Sequence, residues 1–441
     1  MLKHELKPNS KRLKLRNIEV NASNDKSVDD QVKVLRETPL LYYYNVNIPS
    51  NYIKKLSIDS NRYLPTCNII FEDIYNLIHD TGFPADNAYV TVILPSVSDS
   101  LGNIFIEFKI QKIDISIVRD SNNLRRIHIQ GIMNIDNLLV KNYSSYKNKT
   151  SYNVCKDIAT DIGMGLMTNV NDSQDQMNWI NPGWNTYKFL QWTANHAWVG
   201  ETSFVWSFID FYYNLNYIDV EKALNADISK ITWESSSINK DKNTQEQIKP
   251  FLSNEESVKG SNTYFTGEKI INQSTDISLS RGYLRNISYY DFDGNWQDKA
   301  GAYKSFTLDT ITSEGKGNNI ILKGDPGNVD FYNNNQSYHY MHKIDTSNMY
   351  PDYLWAKLQN EENIYDLQKI FMRITLPKPN FNLKRFEKIN LFFVNPNENV
   401  SQQKLNFKLN GEWLVTGITY EWNGSSYYQY VNIVKREIEI N

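Results

Sequence analysis

His339 and His342, with Asp345 close behind, are the residues of this chain whose types and spacing come nearest to a metal site. Two imidazoles three positions apart need a helix to hold them and a third strong ligand to complete the shell. The sequence shows neither clearly. His196 stands between Trp192 and Trp198. A general base needs an imidazole edge open to substrate, so a histidine flanked by indoles reads as packed and hydrogen-bonded instead. Glu72-Asp73, and Asp291 with Asp293, have the residue types of a glycosidase acid and base. That chemistry is set by a through-space separation that spacing along the chain does not supply. Trp179, Trp184, Trp192 and Trp198 offer rings for stacking on sugars, but indoles around one helical stretch serve packing equally well, and packing is the preferred reading.

Gly163-Met164-Gly165 is better read as a helix end than as part of a dinucleotide fingerprint. Neither a Gly-x-Ser-x-Gly elbow nor a His-Glu-x-x-His helix occurs. Cys67 and Cys155 are too few for a disulfide framework or a zinc site by themselves and fit synthesis in a reducing cytoplasm. The expectation is a protein with no catalytic, cofactor-binding or metal-binding residues, and not an enzyme.

The elements that would position any site are mostly strands. Ile104, Ile106, Phe108 and Ile110 alternate with polar or less regular positions; after Lys112 the phase slips by one, to Ile113, Ile115 and Ile117. A period of two that slips once predicts two strands or one long strand with a β-bulge. Ile127 and Ile129 supply its neighbour across a turn at 120–123, which reads as a barrel or a strongly curved sheet. The chemistry changes near Ser151. Val154, Ile158 and Ile162 predict an amphipathic helix over 151–163, capped by Ser151, and a second helix spans 185–198. A nearly continuous apolar run over 204–213 predicts a buried strand, with 217–220 returning antiparallel and Asp219 capping a short helix through Leu224. Residues 234–262 are polar and read as an exposed linker or loop. Strands resume at 283–290, 305–311 and 319–322, a helix is expected at 360–370, and strands follow at 371–376, 389–394, 405–409, 413–422 and 428–434. Asn410-Gly411 and Asn423-Gly424 are two-residue hairpin signals, since a type I′ turn needs positive φ twice.

At 441 residues the chain exceeds one ordinary core, and 40% hydrophobic with 22% charged residues is globular composition. A net charge of −3 gives no concentrated basic surface for tight nonspecific nucleic-acid binding. The basic start, with Lys3, Lys7, Lys11, Arg12, Lys14 and Arg16, lacks the apolar run of a signal peptide and reads as a mobile arm. No window approaches a membrane span. The chain is thus expected to be mainly β, with β-rich ends bracketing a mixed helical and strand insertion.

Several stretches, in order, resemble the baseplate and tail-hub proteins of tailed phages, a group that includes late-control-D-like hubs and the hub portion of contractile-injection spikes. They are PTCNIIFED (65–73), FPAD (83–86) and IFIEFKI (104–110), then GMGL (163–166), MNWI (177–180), HAW (196–198) and IDFYYNLN (209–216). ISYYD (287–291), KSFTL (304–308) and LNGEWLVTGI (409–418) complete the series. The resemblance implies two tube-like antiparallel β-barrel domains, at 37–145 and 366–441. Between them it places an insertion at 146–232 and a middle β-rich domain at 233–365, with an N-terminal arm at 1–36. It implies a structural subunit of the virion, made in the host cytoplasm, forming a homotrimer whose six barrels surround a channel for passing DNA. The implied partners are the tail tube or a distal tail protein, the central spike, and baseplate or tail-tip proteins. The alternative reading is a virion-borne carbohydrate-binding or cell-wall-degrading protein that uses the tryptophans and carboxylates. The polar segments 234–262 and 333–337 match no part of the resemblance and read as decorations or partner-binding loops.

Overall fold

The computed structural model describes residues 2–8, 38–44, 46–77, 86–94, 104–117, 124–227, 232–235, 263–273, 284–291, 303–309, 322–323, 337–344, 349–350, 352–368, 370–376, 379–381, 383–393, 409–435 and 438–439. In chain order the elements begin with β1 (Lys3–Leu6), β2 (Leu40–Tyr43), β3 (Val46–Ile48), β4 (Ile53–Asp59), β5 (Thr66–Asp73), β6 (Tyr89–Leu94), β7 (Ile104–Ile117), β8 (Arg125–Met133) and β9 (Lys141–Lys149). The central part holds α1 (Ser151–Asp161), β10 (Gly165–Thr168), β11 (Met177–Asn185), α2 (Thr186–Asn195), β12 (Val205–Ile209), β13 (Asn214–Asp219) and α3 (Val220–Leu224). There follow β14 (Thr232–Ser235), β15 (Thr263–Phe265), β16 (Gly267–Asn272), β17 (Leu284–Asp291), β18 (Tyr303–Asp309), β19 (Leu322–Lys323), β20 (Ser337–Ile344) and α4 (Tyr353–Gln368). The chain closes with β21 (Ile370–Leu376), β22 (Lys388–Phe392), β23 (Gly411–Trp422), β24 (Tyr427–Val434) and β25 (Ile438–Glu439).

The protein is mainly β with a helical insertion, as its sequence predicts. Among the described residues a 14-stranded sheet joins two blocks, β4-β5-β8-β7-β6-β2-β3 and β16-β21-β24-β23-β22-β14-β15. The first is antiparallel throughout. Its β7 is one strand of 14 residues whose register shifts between Ile110 and Lys112, so the phase slip is a bulge. On one face Ile69 and Phe71 of β5 stand opposite Ile129 and Ile127 of β8, all fully buried. The blocks meet at β23. Its start pairs with β22 and its end, Thr419–Trp422, pairs with Asp59–Leu56 of β4, while β24 runs along its other edge. One strand therefore belongs to both blocks.

The insertion is built on the sheet β1-β10-β13-β12. Both faces are covered, which is why β12 and β13 are buried at every position and read as an apolar run rather than an alternation. Leu166, Leu215 and Ile209 face a core continuous with α1, α2 and both β blocks. Phe208, Trp206 and Ile218 face a second cluster, with Phe386, Leu414 and Val434 of the second block. Two further sheets, β18-β17-β20 and β19-β25, and a ribbon of β9 with β11 complete the described strands.

Local chemistry moves several expected boundaries. Thr150, not Ser151, caps α1, its side chain accepting from Asn153 N, because Ser151 is drawn inward to a buried carboxylate. The second helix is as expected but shorter: Asn185 is its cap rather than its first residue, and it ends at Asn195, before Trp198. β13 begins at Asn214, three residues before its expected start at 217, and Tyr213, at φ +62, lies in the β12–β13 turn. Asp219 caps α3 as predicted. α4 starts at Tyr353, earlier than its expected start at 360. Asn423-Gly424 opens a four-residue turn, in which Asn423 Oδ1 accepts from Ser425 N and Ser426 N. Gly411 has the positive φ expected of it, but it starts β23 opposite Leu391 of β22. Part of the expected arm is a strand, β1. Turns at 82–84 and 120–123, most of 234–262, residues 333–336, and 405–408 lie outside the described residues.

Candidate functional site

Among the described residues, those with the types for catalysis are engaged in local contacts. Glu72 faces Lys54 (3.0 Å) and Arg126 (3.7 Å) across β4 and β8, an ion-paired surface of small energetic weight. Asp73 instead accepts from Leu77 N at 3.0 Å. His339 and His342 fall on a strand, β20, not on the helix a two-histidine site would need, and Asp345 and Asp293 lie outside the described residues. Among the described residues no group of three His, Cys, Asp or Glu could hold a metal ion, and no helix is long and apolar enough to cross a membrane. Cys67 and Cys155 are buried far apart in the sequence, and burial pushes both thiols up.

The tryptophans pack. Trp179 is fully buried, with Nε1 donating to Lys149 O at 2.8 Å, and Trp192 lies edge-on to it and to Trp184, with ring centroids 5.5 and 5.9 Å apart. His196 continues the stack, 4.4 Å from the Tyr353 ring of α4. Its Nδ1 lies 2.7 Å from Trp192 O, an acceptor, so that nitrogen carries a proton. A sugar has no access to Trp179, whereas Trp184 and Trp192 are half-buried.

What the fold does assemble is a three-way junction around Arg385, a residue with no local signal in the sequence. The residue precedes β22 and is 4% exposed. Its Nε donates to Thr416 O in β23 (2.6 Å), and Nη1 donates to Ser60 O (2.6 Å) and Arg62 O (3.1 Å), just past β4. The guanidinium sits 3.8 Å over the Phe208 ring of β12. A single cation thus touches the first block, the insertion and the second block. Burial lowers its pKa to about 9, with Asp59 and Asp210 pulling the other way, so it remains charged at neutral pH. Phe386, next in the chain, holds φ +63, a conformation costly for a bulky residue, and is kept there by packing on Trp206 and Phe208 and by N–H donation to Val415 O at 2.6 Å.

Two further polar knots lock the insertion. Asp175 is fully buried and accepts from Ser151 N (2.8 Å), Trp198 N (2.8 Å), Ser151 Oγ (2.5 Å) and Ser173 Oγ (2.7 Å). With Ser151 Oγ donating to the carboxylate, the Tyr217 hydroxyl, 2.8 Å away, donates to Ser151. The start of α1, the segment after α2, and β13 are thereby tied to one carboxyl group. Desolvation raises its pKa despite the four donors. From α4, Asn360 accepts from Val205 N (2.8 Å) and donates to Ala197 O (2.8 Å), while Gln359 donates to Glu201 O (2.9 Å). These are assembly features, and they fix the angle between parts rather than orient a reacting group.

No protein-family model matches the sequence, and no curated protein does. Solved structures match over nearly the whole chain. The 43 kDa tail protein of prophage MuSo2 from Shewanella oneidensis has 10% identity and a TM-score of 0.52, covering 91% of this chain and 98% of its own. A tail protein from Neisseria meningitidis MC58 has 10% identity and a TM-score of 0.51, covering 90% of this chain and 96% of its own. The two β blocks, the insertion between them and the Arg385 junction that joins all three are carried on a fold this chain shares, along most of its length, with these two tail proteins.

Proposed function

We propose that this protein is a structural hub subunit of a phage tail, present in the virion, whose work is assembly rather than chemistry. Three copies form a ring in which the two β blocks of each act as tube-like units. Six such units then face the six-fold tail tube while three-fold features face the central spike, and a channel is left for DNA. The observation that carries this reading is the fusion of two β blocks through β23, each contributing half the strands of the large sheet among the described residues. A closed ring needs head-to-tail contacts that return on themselves, and among the described residues the sheet ends on three outer strands, β3, β15 and β16. A channel that passes DNA should avoid retained phosphate contacts, and the net charge of −3 is compatible with that.

Light scattering and negative-stain imaging of the purified protein, with and without the spike protein encoded by the same phage, test the reading. Three-fold rings are expected. A protein that stays monomeric with the spike bound would overturn it.

A further inference from the structure

The strand that both blocks share makes one polar sheet face out of two. Along β23-β4-β5-β8 and the part of β7 beyond its bulge, Glu421 stands opposite Ser57, Ser57 opposite Asn68, Asn68 opposite Gln130, and Gln130 opposite Lys112. Side chains alternate across a strand, so these residues lie on one face, while Leu56, Ile69 and Ile129, all fully buried, lie on the other. On the far edge of β23 the polar face continues into the second block, where Tyr428 and Tyr430 of β24 stand opposite Glu421 and Thr419.

Charge on this face is cancelled in place. Lys54, Lys55, Lys112 and Arg126 reach it with side chains at least 43% exposed. Glu72 lies 3.0 Å from Lys54 and 3.7 Å from Arg126, Glu421 lies 3.5 Å from Lys55, and Asp114 lies 2.8 Å from Lys112. Asp59, opposite Thr66 and Thr419, sets a fourth carboxylate against the four cations. Ion pairs this exposed add little stability, so their effect is on the field the face presents. Nor does the face suit a permanent protein contact, whose centre is apolar. The exposed large hydrophobics among the described residues lie elsewhere, Ile115 and Ile117 being on the opposite face of β7.

A wide sheet face that is polar, solvated and locally neutral fits a polyanion that must slide past without being held. A cation free to meet a phosphate gains by releasing counterions and so retains the DNA, whereas a cation already shared with a carboxylate gains less. We propose, on the ring reading above, that this face lines the channel and that Glu72, Asp114 and Glu421 keep its cations off the phosphates of passing DNA.

The triple variant Glu72→Gln, Asp114→Asn, Glu421→Gln frees the four paired cations. Purified parent and variant are titrated with a fluorescein-labelled DNA duplex across a salt series, with melting curves and light scattering alongside. The variant is expected to bind at least about tenfold more tightly than the parent at low salt, with a steeper salt dependence. Adding Lys54→Gln and Arg126→Gln should reverse part of the gain. Phage carrying the triple variant should assemble in parental yield but eject DNA several-fold more slowly, and the two added substitutions should restore the rate. Glu72→Gln alone repeats the comparison if the triple variant misfolds.

A folded variant with no gain in DNA affinity overturns the charge assignment. Tighter binding in solution with ejection at the parental rate means that the face does not line the channel. A folded variant that assembles no particles makes the face a contact surface, which overturns the proposal and leaves the ring intact. Parent protein that stays monomeric with the spike bound overturns the ring reading, and the lining with it.

Discussion

Asn61, just past β4, fills the space that a side chain at Gly417 in β23 would need: a β-carbon on Gly417 would stand 1.7 Å from Asn61 Oδ1. Asn61 donates to Thr419 Oγ1 at 3.1 Å and accepts from Asn432 Nδ2 at 3.0 Å, so it pins the first block to β23 and β24 at once. Gly417→Ala is expected to lower stability by about 1–3 kcal/mol through overpacking. Combined with Asn61→Ala the loss should be less than the sum, since the clash disappears with the amide. Urea denaturation of the two single variants and the double checks this; strict additivity would show that the two residues do not meet.

Arg385→Met leaves the carbonyls of Ser60, Arg62 and Thr416 without their donor and should cost about 3–5 kcal/mol. Arg385→Lys should rescue little, because an ammonium cannot reach three carbonyls in the geometry of a planar fork. Thermal melting separates the two cases, and a lysine variant that melts with the parent would mean the charge alone matters.

Asp175 has a pKa raised by burial, so the folded protein binds its proton more tightly than the unfolded chain does. Stability from this group is therefore full below the ordinary carboxylate range and falls as pH rises through it toward the raised value. The parent's advantage over Asp175→Asn should be largest at low pH and shrink toward neutrality. The variant itself should be less stable than the parent, because an amide in place of one oxygen turns a donor toward Trp198 N or Ser151 N. Denaturation curves between pH 4 and 7 on the order of half a unit apart resolve the trend, and an advantage that grows with pH would reverse the assignment.

Trp179→Ala should lower stability by about 3–5 kcal/mol, the usual loss for a buried aromatic. Glycan arrays probed with parent and variant provide the second readout. A variant that melts like the parent but loses a glycan signal would restore the carbohydrate-binding alternative.

Much of the strand content was legible because half-buried strands alternate, as in β5, β7 and β8, and the slip at Lys112, which fitted two strands or one bulged strand, is the bulge. The resemblance pointed to the fold class that the two solved tail proteins share. The joints were not legible. Arg385, Asp175 and Asn360 act across more than twenty residues of sequence or on backbone carbonyls, and nothing local distinguishes them from solvated polar residues. Ser151 was misread as a cap because its hydroxyl and its N–H, which would mark it as one, are both claimed by Asp175. β1 was missed because Leu6 is the one apolar residue in it, and the bulge breaks its alternation with Leu2 just before the strand.

A strand that is bonded to one block at its start and to the other at its end also sets how the molecule bears load. Tension between the blocks along β23 runs parallel to its strand axis, so the ladder to β4 must shear as a unit rather than open one bond at a time. No loop along Gly411–Trp422 offers a place to flex. In the hub proposed above, torque or thrust arriving at one end of the tail would pass through the chain as through a stiff washer, with little lost to bending between its halves.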